Sequence, residues 1–76
     1  MSFQAYLDTI EKKTGKNPAA LRAMGVEKGW TAGPTLAPGI KPMTIVEVLK
    51  TELGLGHGHA MAVVALLKGT KREGDA

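Results

Sequence analysis

The chain contains no cysteine, and that single absence removes disulfides, zinc–thiolate sites and thiol nucleophiles together. It fits a reducing, cytoplasmic setting. Aromatic residues are confined to Phe3, Tyr6 and Trp30, so the interior must be assembled from Leu, Ile, Val, Met and Ala. No uninterrupted apolar run approaches the roughly 20 residues that cross a bilayer. The opening Met1-Ser2-Phe3-Gln4 also lacks the basic and apolar regions of a secretory signal, so no membrane association is expected. Catalytic signatures are missing as well: there is no Gly-x-Ser-x-Gly, no P-loop and no convincing pair of carboxylates. Asp8 and Glu11 share a face with Lys12 and read as solvated charges. The expectation is a protein that is not an enzyme and uses no cofactor.

What is present is enough for one small domain. A chain of 76 residues buries roughly 60% of the surface its unfolded form exposes, so the core is small and homodimerisation is an available supplement. Ten Lys and Arg against seven Asp and Glu give a net charge of +3, which permits an acidic partner without requiring one.

Periodicity predicts an all-α fold, a compact bundle of four short helices. Ser2 is placed to cap the first helix, about residues 2–14, where Phe3, Tyr6, Leu7 and Ile10 share one face. Gly15 suits the left-handed stop, with Lys12 and Lys13 at the negative end of the dipole. Asn17-Pro18 then restarts the chain as cap and first helical residue, giving a second helix over about 18–28. Leu21 and Met24 face inward from it, Gly25 weakens its interior, and Gly29 ends it beside Trp30. Residues 31–43 carry Pro34, Pro38, Pro42, Gly33 and Gly39, a composition that predicts a long loop without regular structure, part of it laid over the core through Leu36, Ile40 and Met43. Thr44-Ile45-Val46-Glu47 reads as a capping box opening a third helix over about 44–53. A fourth helix over about 58–68 is apolar nearly all round, from Ala60 to Leu67, which predicts that it is central. Residues 1–69 thus form one helical domain, and 70–76 a charged tail expected to fray.

Between the third and fourth helices runs Gly54-Leu55-Gly56-His57-Gly58-His59-Ala60-Met61-Ala62. The Gly, apolar, Gly spacing followed by Ala60 resembles the hairpin of the helix-hairpin-helix family. The resemblance implies that amides of the hairpin and of the following helix hold a nucleic-acid phosphate without reading sequence, a role it carries to Gly54, Gly56, His57 and Gly58. The independent reason is that a helix N-terminus offers unpaired N–H groups and the positive end of a dipole. The plainer reading stays open beside it, in which the glycines only shape a tight turn and Ala60 lets two helices approach. A cationic His57 or His59 is disfavoured at that helix end unless an anion is bound there, which predicts phosphate binding that strengthens as pH falls through the histidine range. As metal ligands the two imidazoles are incomplete, since zinc takes three or four protein ligands and neither Glu47 nor Glu52 is singled out by spacing. No metal site is expected.

The opening Ser2-Phe3-Gln4-Ala5-Tyr6-Leu7-Asp8-Thr9-Ile10-Glu11-Lys12-Lys13-Thr14-Gly15-Lys16, together with Gly54 to Ala62, resembles a family of small bacterial proteins known only as a domain of unknown function. That resemblance implies a compact helical domain and brings no established activity. Two functional expectations follow from the residues. One is a phosphate-binding module using Gly54, Gly56, His57, Gly58 and His59. The other is a protein-interaction or self-associating module whose exposed contacts are Trp30, Leu36 and Ile40.

Overall fold

The computed structural model describes residues 2–75. Four helices, α1 (Phe3–Thr14), α2 (Pro18–Glu27), α3 (Pro42–Glu52) and α4 (His57–Lys68), account for most of the chain, with β1 (Thr31–Ala32) and β2 (Thr35–Leu36) between the second and third. The predominantly α architecture follows from local signals that the backbone uses as written. Ser2 accepts from the Ala5 amide at the start of α1, and Gly15 closes that helix at φ 77°, donating to the Glu11 carbonyl. At the start of α2 the Asn17 side chain accepts from the Ala20 amide at 2.8 Å, with Pro18 supplying the first turn. At its end Gly29 donates to Val26, and Trp30 to Gly25 at 2.8 Å, the two reverse bonds of a Schellman motif.

The expected loop is shorter and more regular than its composition implies. Residues 31–36 form a two-stranded antiparallel hairpin that pairs Thr31 with Leu36 and Ala32 with Thr35. Gly33, at φ 66°, takes the positive backbone angle that the two-residue turn needs, so the glycine and proline that argue against long elements are the residues that make this short one. The start of α3 is a second correction. It begins at Pro42, preceded by Lys41 with no side-chain cap, and Thr44 lies inside the first turn with its amide on the Lys41 carbonyl at 3.0 Å. The Thr44–Glu47 capping box therefore does not form. Proline at the first position has no N–H to leave unpaired and presets the helical φ, so nucleation moves two residues upstream.

The core sits around α4, and α1, α2 and α3 each pack on it. Six of its residues are buried: Ala60, Ala62, Val63, Val64, Leu66 and Leu67. They meet Leu7, Ile10, Leu21, Ile45, Val46 and Leu49, all essentially inaccessible. Close approach explains the glycine inside α2: a Cβ on Gly25 would lie 3.1 Å from both Leu67 Cδ2 and Thr31 Cγ2. Gly69, which ends α4 at φ 76°, faces the hairpin so tightly that a Cβ there would sit 2.7 Å from the Pro34 carbonyl oxygen. Beyond it, residues 70–75 turn back along the helices. Gly74 donates to Gln4 Oε1 at 2.8 Å, and Glu73 takes Arg22 in a two-pronged pair at 2.6 and 2.8 Å. Among the described residues, no helix is long and apolar enough to cross a membrane.

Candidate functional site

The α3–α4 connection is built from an anchored apolar residue between two glycines. As α3 ends, the Leu49 carbonyl accepts from the amides of both Leu53, at 3.0 Å, and Leu55, at 3.4 Å. Gly54 takes φ 67°, a left-handed angle that costs other residues roughly 1 to 2 kcal/mol. This reversal turns Leu55 into the core, where it is 3% exposed. Gly56 is the N-cap of α4 at φ −73° and ψ 167°, and its carbonyl accepts the first helical bond, from Ala60, at 2.9 Å. It has no side chain with which to cap.

That omission leaves the amides of His57, Gly58 and His59 without a hydrogen-bond partner among the described residues. Gly56, His57 and Gly58 are exposed, and a Cβ placed on Gly54, Gly56 or Gly58 would meet nothing within 4 Å. The space above the turn is open. Three free donors thus stand at the positive end of a twelve-residue helix, the arrangement that attracts an anion. The stretch itself carries no Lys or Arg, so any attraction there comes from backbone dipoles and from the imidazoles.

The two histidines diverge. His57 points to solvent, whereas His59 is half-buried and sets its ring edge-on to Tyr6, with centroids 5.2 Å apart and planes at 77°. Its Nε2 atom is buried without a hydrogen-bond partner among the described residues. The pairing of Tyr6 with His59 is not readable from the chain, because Tyr6 presents itself there only as one more residue on the apolar face of α1. Glu52, considered as a carboxylate beside the histidines, instead holds the Lys28 ammonium at 2.8 and 2.9 Å and ties the end of α2 to the end of α3. No cluster of three or more His, Cys, Asp or Glu suited to a metal occurs among the described residues.

The expected interaction residues are placed differently. Trp30 is 5% exposed and belongs to the core. Its backbone is fixed on both sides, since its amide caps α2 on the Gly25 carbonyl while its own carbonyl accepts from Ala37 at the base of the hairpin. Trp30 is therefore not an exposed contact. Leu36 and Ile40 are partly buried and pack against the same core. Among the described residues, the large apolar side chains that do reach solvent are Val26, Met43 and Met61, at 70%, 53% and 40% exposure.

Comparison with curated proteins and comparison with solved structures each gave no match. Residues 2–69 do match the sequence model of a family described as "Domain of unknown function (DUF4287)". The match spans all four helices and the α3–α4 turn, and the chain belongs to that family.

Proposed function

We propose that this domain is a non-catalytic binding module whose α3–α4 turn holds a nucleic-acid phosphate without reading sequence. The observation that carries the reading is the set of unpaired amides at exposed His57 and Gly58 and half-buried His59, in front of which Gly56 leaves an open approach. A phosphate oxygen accepting from that first turn would satisfy donors the fold leaves free and would lie on the dipole axis. Buried Leu55 holds the turn in shape before any ligand arrives, so binding requires little ordering.

The test is an amide chemical-shift titration of the full chain with a short DNA duplex and with a short RNA, repeated at rising salt. The resonances of residues 56–59 should move first, and affinity should fall steeply with salt as counterions are released. Shifts confined to other surfaces, or an affinity indifferent to salt, would overturn the reading. A second reading, a protein-interaction module, is favoured by Val26, an aliphatic side chain left 70% exposed.

A further inference from the structure

On the side of the molecule formed by α2, the β1–β2 hairpin and the end of α4, two adjoining cavities of about 280 and 80 Å³ share Arg22, Pro34 and Leu66 in their walls. Their characters differ. The larger is rimmed by cations, with Lys71 and Arg72 beside Arg22. The smaller is floored by Leu66 and Leu67 and edged by Val26, the most exposed of the large apolar side chains. A cationic rim beside an apolar notch is complementary to a segment that sets a carboxylate next to a hydrophobic side chain.

The chain itself shows how a carboxylate sits here. Glu73 reaches back from the tail and grips the Arg22 guanidinium through both oxygens, at 2.6 and 2.8 Å, the fork-to-fork geometry that matches arginine to a carboxylate. Both side chains remain 44% exposed. An exposed pair of this kind contributes little and is readily exchanged for a competing partner of the same chemistry. We propose that this cleft is a docking site for an acidic peptide segment of a partner protein, with its carboxylate on Arg22 and its apolar neighbour against Val26, and that Glu73 occupies the arginine in cis until such a segment displaces it.

The choice of a peptide over a nucleic acid rests on the notch: a phosphate backbone has a use for Arg22, Lys71 and Arg72 and none for Val26, Leu66 and Leu67. The proposal stands apart from the α3–α4 turn and does not depend on it.

The probe is a fluorescein-labelled decapeptide alternating glutamate and leucine, with a lysine–leucine peptide as control, read by fluorescence anisotropy on the full chain. Because Glu73 is a tethered competitor whose exposed pair with Arg22 is weak, Glu73→Gln should tighten binding of the acidic peptide by about two- to fivefold. Arg22→Gln in the Glu73→Gln background should return it to the native level or below. Val26→Asp in the same background should weaken it by about tenfold, since it places a like charge against the incoming carboxylate. All three positions are exposed, so each variant should fold, with circular dichroism as the check. Equal affinity of native and Glu73→Gln proteins, or equal binding of the lysine peptide, overturns the proposal. So does displacement of the peptide by a short DNA duplex, which would make the cleft a nucleic-acid surface. A Glu73→Gln protein that dimerises and excludes the peptide assigns the cleft to a second copy of the chain and overturns it too.

Discussion

At the scale of single residues, the glycines divide into those that need only a backbone angle and those that also need the space. Gly15 and Gly69 both stop a helix at almost the same φ, 77° and 76°. A Cβ on Gly15 meets nothing, whereas one on Gly69 runs into the Pro34 carbonyl. Gly15→Ala should therefore cost about 1 kcal/mol, the strain of a left-handed alanine. Gly69→Ala should cost about 2 to 3 kcal/mol, since the hairpin backbone must also move. Urea denaturation midpoints of the two variants provide the comparison, and equal losses would mean that the contact at Pro34 yields freely. The sequence announces Gly15 as a stop and ends the fourth helix at about residue 68, just before Gly69, because a stop is a local event. It cannot announce which of them faces a neighbouring backbone. For the same reason it places Trp30 correctly after the end of α2 and misjudges its exposure, which is decided by tertiary packing into the core.

At the scale of elements, a capping motif acts only where the helix begins. The Asn17 side chain meets the Ala20 amide at 2.8 Å, and Asn17→Ala should cost about 1 kcal/mol. Thr44 has the sequence of an equally good cap but lies exposed inside α3. Thr44→Ala should thus change stability by less than about 0.5 kcal/mol. Thermal melts of the pair distinguish the two starts of α3, and a loss at Thr44 matching that at Asn17 would restore the downstream start. The four helices are legible from different signals: one apolar face in α1, the Asn17-Pro18 start of α2, the apolar spacing of Ile45, Val48, Leu49 and Leu53 around α3, and the nearly continuous apolar run of α4. The β1–β2 hairpin is not: its strands are two residues each, too short for alternation to register, and proline-rich flanks conceal a turn whose one signal is Gly33. At the candidate site, Gly54, Leu55 and Gly56 are legible as a turn, while the unpaired state of the three amides after them emerges only once the absent cap at Gly56 is placed.

At the scale of the whole molecule, the last residues join the first helix to the second through side chains far apart in sequence. The Glu73 carboxyl is held down from its ordinary 4.5 to about 2, chiefly by the hydrogen bond from Arg22, then by a backbone hydrogen bond, with desolvation opposing. A carboxyl whose folded value is depressed contributes above its unfolded value and loses that contribution as pH falls through the folded one. The stability that the Arg22 contact contributes should therefore be complete above about pH 4.5 and lost as pH falls from there through about 2, where the folded carboxyl is half protonated. The Gly74 amide, bonded to Gln4, reports it by chemical shift. Its titration midpoint should rise toward 4.5 in Arg22→Gln, and an unmoved midpoint would show that Arg22 does not hold the tail.

One consequence of the arrangement around α4 concerns how damage spreads. The three outer helices rest on α4 far more than on one another, so the domain is built like a wheel with spokes and very little rim. A defect in a spoke leaves two intact attachments, whereas one at the axle, such as a polar group introduced at Val63, reaches every spoke together. Variation is accordingly cheap on the outer faces of α1, α2 and α3 and nearly forbidden at the six buried residues of α4, Ala60, Ala62, Val63, Val64, Leu66 and Leu67.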